Sequence, residues 1–479
     1  MPTQRAPARR ASTWVLALAS AAGFMAALDT LVVTTSLTTI RLHLHTSIDQ
    51  LEWTVNAYNL SFAVLLMSAA AVGDRFGRRR MFAVGLGVFS LASAACALAP
   101  TVGWLIAARA VQGAGAALIM TLALALVSTA FPPQRRGAAL GIFFALTGLA
   151  VASGPLIGGG ISQGLAWQWI FWLNVPLGLA LIPFALRRIP EAFGPDSALD
   201  IRGLALVTGA GLGLVWGLVR GNIAGWGSPE VVGTLATGAV LLVAFVAWQL
   251  RASQPMLPMS LFRSRAFSAG NATIFFAFGS LFCGVFFLAQ FLQTALGYGP
   301  LGAGLRLLPW TATLFFVAPV AGKLVDRFGE RPFLVLGPLL QAGGMAWIAL
   351  VADAGMAYGQ MIAPLIVAGV GISMSFPASQ NAVAGAVPPE AIGKASGVYS
   401  TMRELGGVFG IALSVTVFAG AGSYVSAHAF TSGFTAAMGV SAGLSLLGAL
   451  AGAALPARNQ RVVTVPAAAM AALDAEGGI

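Results

Sequence analysis

Charge is scarce in this chain of 479 residues: 26 Lys and Arg and 15 Asp and Glu make up 9%, against 58% hydrophobic residues. A soluble globular protein carries roughly 25% charged residues, so ordinary soluble material is excluded. Cysteine is nearly absent too. Cys96 and Cys283 both fall inside apolar stretches, where they supply neither a disulfide framework nor metal-ligand spacing and read as small core residues. Histidine is as rare, and His43, His45 and His428 are too few and too scattered for a His-ligated metal centre or a Ser/His/Asp triad. Long polar stretches are missing as well, so no soluble domain is visible and an enzyme is the least favoured class.

What the chain has is apolar length. Mean hydropathy is +0.86, and apolar windows separated by short polar punctuation give about fourteen spans of bilayer-crossing length. They fall near 14–34, 53–72, 81–99, 103–125, 138–162, 167–186, 203–221, 231–250, 267–294, 302–325, 333–352, 358–378, 395–419 and 433–455. The 59 Gly and 24 Pro fit this setting, since membrane helices tolerate both better than soluble ones do. The basic N-terminus before Trp14 imitates a secretion signal, but the apolar run continues through Asp29 without a convincing cleavage site and reads as a retained first span.

Net charge +11 and a pI near 10.9 raise nucleic acid as a partner. The distribution argues against it, because the arginines lie singly or in short clusters between apolar segments and form no basic face of their own. With fourteen spans and the N-terminus inside, 21 of the 26 Lys and Arg collect on inner loops, leaving Arg41, Arg109, Arg220, Arg306 and Arg403 for the outer loops and the membrane. That asymmetry supports cytoplasmic N and C termini.

The organisation follows from a repeat. Asp74-Arg75-Phe76-Gly77, continuing to Arg78, recurs as Asp326-Arg327-Phe328-Gly329, each copy between long apolar runs. A charged turn repeated in a membrane protein marks a duplicated bundle, the usual build of secondary transporters. Each turn follows the second span of a six-span half. The expected division is residues 1–186 for the N-terminal half, 187–266 for a linker with two inserted spans, 267–456 for the C-terminal half and 457–479 for a cytoplasmic tail.

Charges left inside the membrane are costly and become functional candidates. Asp29 lies 15 residues beyond Trp14, about 22 Å from the inner end, and Arg109 lies about 9 Å into a span entering from outside. In a hydrocarbon core of about 30 Å the two reach a similar depth and can pair. Asp29 is the clearest proton carrier, as a carboxylate in a low-dielectric cavity whose positive partner comes and goes; a fixed pair aligning two helices is the alternative. Arg403 and Glu404, adjacent on one helix, are expected to find different partners in a structural or gating role. Gly154, Pro155, Gly158 and Gly159 in the fifth span allow close backbone approach and a bend. Asp74 can sit at the positive N-terminal end of the thirteenth helix and hold one conformer closed. Trp53, Tyr58 and Trp310 are guesses for aromatic faces that meet substrate, with lipid-facing belt residues as the alternative for each.

These strings resemble the major facilitator superfamily over nearly the whole chain, and within it the fourteen-span drug:proton antiporter branch. Leu28-Asp29-Thr30 and Trp53-Thr54-Val55-Asn56-Ala57-Tyr58-Asn59-Leu60 are similar to its first- and second-span motifs, and the repeated Asp-Arg-x-Gly turns to the superfamily's loop motif. Ala70 stands for the usual leading Gly of the first copy, while Gly322 keeps it in the second. Arg109-Ala110-Val111-Gln112-Gly113 resembles the fourth-span motif, whose Arg the resemblance implicates in proton transfer. Gly154-Pro155-Leu156-Ile157-Gly158-Gly159, with Gly141 upstream, resembles the antiporter motif, although Ala150 replaces a usual Gly. Trp167-Gln168-Trp169-Ile170-Phe171 with Asn174-Val175-Pro176-Leu177-Gly178, and Gly393-Lys394-Ala395-Ser396-Gly397 with Met402-Arg403-Glu404-Leu405-Gly406-Gly407, resemble the sixth- and thirteenth-span motifs; Gln168 stands where Arg is usual.

The expectation is an all-α membrane protein of the major facilitator fold in a bacterial plasma membrane. It would work as a monomer and export hydrophobic or cationic compounds in exchange for protons, with no cofactor beyond the proton gradient. A dedicated exporter of one metabolite, an uptake symporter and a transport-inactive membrane sensor remain open beside it.

Overall fold

The structure, a computed structural model, describes residues 5–44, 48–164, 166–194, 200–252 and 255–456, and every regular element among them is helical. Hydrocarbon offers no partner to a free backbone N–H or C=O, so a chain this apolar satisfies its peptide groups within helices. The expected tail at 457–479 lies outside the described residues, as does His45.

The first half comprises α1 (Arg5–Leu44), α2 (Ile48–Phe76), α3 (Arg78–Ala97), α4 (Val102–Ala130), α5 (Pro133–Gly164), a single turn α6 (Trp169–Trp172) and α7 (Asn174–Arg188). The inserted pair is α8 (Ile201–Ala224) and α9 (Pro229–Arg251). The second half follows as α10 (Arg265–Thr294), a short α11 (Pro300–Arg306), α12 (Leu308–Phe328), α13 (Arg331–Val351), α14 (Gly359–Gly385), α15 (Ile392–Ala421) and α16 (Ala427–Ala453). Thirteen segments among the described residues are long and apolar enough to cross a bilayer. The 32-residue α5 occupies the remaining place between the fourth and sixth. Two of the expected spans are built in pieces: the sixth breaks at Leu173 between α6 and α7, and the tenth at Leu307 between α11 and α12.

Within the first half α4 packs on α2 and α3, and α1 on α5 and α4; within the second, α10 packs on α15 and α16, and α13 on α14 and α16. The halves meet along two seams, α5 with α12 and α2 with α15. Small residues make the first seam possible. A Cβ at Gly141 or Gly322 would collide with the backbone carbonyl of Ala318 or Gly137, and one at Gly137 would lie 2.6 Å from the Gly322 oxygen. Such backbone-to-backbone contact is how helices associate where no hydrophobic effect acts between them. On the second seam Ala70 faces Gly397, where an added Cβ would come within 2.5 Å of the Ala70 methyl. The pair together is small enough even though the first turn lacks its leading glycine.

The two charged turns end their helices alike. Gly77 and Gly329 follow α2 and α12 with φ of 101° and 84°, a region L side chains rarely adopt. We predict that Gly141→Leu, which overpacks the α5–α12 seam, lowers stability by ~1–3 kcal/mol, read as a lower apparent Tm in detergent. Gly439→Ala, where an added Cβ meets nothing within 4 Å, should leave Tm unchanged.

Candidate functional site

A cavity of about 550 Å³ lies between the halves, within the range that encloses drug-sized ligands. Its wall draws Ala26, Ala27 and Thr30 from α1, Trp53 and Tyr58 from α2, Phe278 and Phe282 from α10, Trp310 from α12, and Arg403 and Glu404 from α15. Apolar and aromatic side chains dominate it. The lining clusters toward the ends of α2, α8 and α10 opposite the charged turns, and the seams close the turn-bearing end. Gln380 spans that closed end, donating to Ser128 of the first half (3.4 Å) and to Ser396 (3.1 Å). With the charged turns on the cytoplasmic side, as the arginine distribution implies, this arrangement faces outward. All three aromatic guesses, Trp53, Tyr58 and Trp310, fall on the cavity wall.

Beside the cavity, five helices converge on one carboxylate. The Arg109 Nη1 donates to Asp29 Oδ2 at 2.5 Å, while Gln112 Nε2 (2.9 Å) and Asn174 Nδ2 (2.7 Å) donate to Asp29 Oδ1. Arg109 is fixed in turn: its Nε donates to the Thr54 carbonyl at 3.1 Å and its Nη1 to Gln112 Oε1 at 2.7 Å. The Tyr58 ring covers its guanidinium at 4.1 Å. Asn174 also donates to Ser93 Oγ at 3.2 Å, which brings in α3. The match in depth between Asp29 and Arg109 is therefore a direct ion pair. Gln112, Asn174 and Ser93 were missed as members, although Gln112 and Asn174 stand inside the motif strings; a polar side chain within an apolar span was the available signal.

One expectation needs correction here. Asp29 does not sit in the cavity: it is 2% exposed, and Ala26, Ala27 and Thr30 present the lining face of α1 instead. Tyr58, which touches both cavity and Arg109, separates the two. A second correction concerns Arg403 and Glu404. They do not find different partners, because the Arg403 Nε and Nη2 reach round to Glu404 Oε1 at 3.0 and 2.8 Å. Adjacent helical residues diverge at their Cβ atoms, but a long guanidinium arm can close that angle.

The charged turns act on the seams. Asp74 is buried, ion-paired to Arg78 at 2.7 Å, and packed so tightly on Gly393 that any side chain there would strike its carboxylate. Arg78 continues to the Glu390 carbonyl at 3.1 Å, just before α15 begins. In the second copy Asp326 accepts the backbone N–H groups of Gly137 (2.8 Å) and Ala138 (2.9 Å) at the start of α5. Each half thus lays an aspartate against the N-terminal end of a helix in the other, where the helix dipole favours negative charge. Arg136, not foreseen, lies buried within electrostatic reach of Asp326 and Glu330. Arg75 is exposed and the Arg327 guanidinium lies over Phe328 at 5.2 Å. Gly154 is buried in α5, whereas Pro155, Gly158 and Gly159 have side-chain surroundings outside the described ones.

The family model described as Major Facilitator Superfamily matches residues 19–411. The chain belongs to the major facilitator superfamily. It is 34% identical over 408 residues to the tetracenomycin C resistance and export protein of Streptomyces glaucescens, covering 84% of this chain and 76% of the relative. It is 34% identical over 453 residues to the puromycin resistance protein pur8 of Streptomyces alboniger, covering 91% and 90%, and 34% over 398 residues to the multidrug resistance protein Stp of Mycobacterium tuberculosis, covering 83% and 74%. Among solved structures, the proton:xylose symporter XylE has a TM-score of 0.65 at 14% identity, covering 92% of this chain and 94% of that one. The human organic anion transporter MFSD10 has a TM-score of 0.64 at 16% identity, covering 94% and 100%. These structures establish the fold alone.

Removing one member of a buried pair strands the other, at a cost of ~3–5 kcal/mol. Arg109→Gln should therefore be strongly destabilising in detergent melts, and adding Asp29→Asn to it should restore stability in part. Simply additive costs would show that the two charges do not interact.

Proposed function

We propose that this protein exports hydrophobic antibiotics and drug-like compounds across a bacterial plasma membrane, exchanging them for entering protons by alternating access. The single observation that supports this most is the placement of the Asp29–Arg109 pair one tyrosine away from an aromatic cavity between two rocking halves. The names of its relatives, which are resistance and export proteins, point the same way. No cofactor beyond the proton gradient is required, and a single copy contains the whole site.

Helix α2 supplies the linkage. Near its outer end it holds Arg109 through the Thr54 carbonyl and the Tyr58 ring, and at its inner end it carries Asp74 against α15. A proton arriving from outside neutralises Asp29 and releases Arg109 from its ion pair. Arg109 then shifts on Thr54 and Tyr58, which moves α2 and alters the cavity wall beside the compound. The compound leaves outward, the inner seams open, and Asp29 loses its proton to the cytoplasm as the next compound loads. The Arg403–Glu404 pair makes the cavity charge-balanced, so uncharged hydrophobic compounds suit it as it stands. A lipophilic cation has to take Glu404 away from Arg403.

In everted vesicles, compound-dependent proton release should occur with wild type and vanish with Asp29→Asn; release that survives in the mutant would place the coupling acid elsewhere. Arg403→Gln, which leaves Glu404 without its partner, should raise export of lipophilic cations relative to neutral compounds of similar size, measured as the ratio of initial rates.

A further inference from the structure

The inserted pair α8–α9 forms part of the substrate cavity. Val215, Trp216, Val219 and Arg220 of α8 line it alongside residues of both halves. At its mouth the Trp216 ring lies 4.9 Å from that of Trp53, tilted by 35°. Trp216 is anchored from behind: its Nε1 donates to Glu230 Oε1 at 3.0 Å, and Arg220 holds the same carboxylate through Nε (3.1 Å) and Nη2 (3.3 Å). Glu230 stands in the first turn of α9, which braces α8 closely, since a Cβ at Gly213 would lie 2.9 Å from the Gly238 Cα.

We propose that Trp53 and Trp216 form an aromatic platform that recognises flat, fused-ring compounds, and that the inserted pair exists in this transporter to build it. The idea rests on the export reading above. Tryptophans near a membrane surface commonly serve as interfacial anchors directed at lipid. Here the two rings face each other and line the cavity, and the indole N–H that would meet headgroups is bound by Glu230 instead. A flat ring system gains from stacking on the cavity side of this packed pair, because offset stacking scales with overlapping π surface.

The platform also belongs to one moving body. Helix α8 follows α2 along its length, through Ser68 to Thr208 at 3.0 Å, Val64 against Gly211, and Trp53 against Trp216. It touches α15 of the other half as well. Rocking of the halves therefore carries Trp53 and Trp216 together with the first half and leaves their mutual geometry intact. A bound ring keeps its platform while the facing wall on α10, α12 and α15 changes.

The test compares uptake into everted vesicles of a neutral fused-ring quinone and a neutral non-planar compound of similar size and hydrophobicity. Trp216→Ala should raise KM for the fused-ring compound by roughly three- to tenfold, the worth of one aromatic face, and leave KM for the non-planar one unchanged. Trp216→Phe should recover much of the loss, and Glu230→Ala, which frees the indole, should shift KM in the same direction as Trp216→Ala. Equal effects on both compounds, or none on either, would overturn the platform and leave α8 a packing element. Transport of the non-planar compound reports that each variant is folded. Proton release by wild type, read in the same vesicles, shows separately whether the export reading holds.

Discussion

A carboxylate buried in hydrocarbon must be neutralised by something, and the way Asp29 is neutralised organises the first half of this protein. Arg109 supplies the charge, and Gln112 and Asn174 occupy the second oxygen, so that α1, α4 and α7 are tied at one point. Arg109 then has donors to spare and spends one on the Thr54 carbonyl, which draws in α2. The network is complete while Asp29 is charged. Neutralising Asp29 weakens three charge-assisted hydrogen bonds together, each roughly twice as strong as its neutral equivalent. In the proposed cycle one proton on Asp29 would loosen the whole junction of α1, α2, α3, α4 and α7, a larger mechanical consequence than one exposed ion pair could have.

The duplication makes the asymmetry between the halves informative. Both halves keep the inner latch: Asp74 against α15 and Asp326 against α5. Only the first keeps buried charge at the junction. On α10 of the second half, Ser280 is joined to Gln341, Ser441 and Ser445 at 3.0, 2.8 and 2.7 Å. That cluster has the same role in holding α10, α13 and α16 together but nothing that titrates. The second half contributes instead Glu404 and Arg403 on the cavity wall and most of its phenylalanines. Both halves line the cavity, and the seams are what join them.

Much of this was legible in the sequence, for physical reasons that can be named. Apolar length reveals membrane helices because the bilayer core has a fixed thickness. The repeated turn is visible because its glycine needs positive φ and its aspartate needs a helix end, so neither tolerates replacement by other residue types without strain. Asp29 and Arg109 stand out because charge is rare in spans, and residue rise fixes their depth. Facing direction is what depth leaves open. It decided that Asp29 points into the helical junction and not the cavity, that Arg403 curls back to Glu404, and that Gln112 and Asn174 are ligands of one carboxylate and not two isolated polar residues. The packing of α8 was equally out of reach, since two extra spans between halves fix no position around the bundle.

A helical pair added at the periphery would bury one face on the bundle and give the rest to lipid, and α9 does largely this, with Val231, Gly238, Phe245 and Gln249 as its buried positions. Helix α8 differs, because it packs against both α2 and α15 at the seam where the halves must separate. A helix there covers a gap that would otherwise open sideways to lipid when the cavity faces out. It can do so without blocking the motion only by moving with one half, and the hydrogen bond between Thr208 and Ser68 ties it to the first. The other seam, α5 with α12, relies on glycine contacts and on the hold of Asp326 on the Gly137 and Ala138 N–H groups. The two lateral faces of the cavity are therefore unequal: one has a helix fastened across it, and the other has backbones that must meet and part in every cycle.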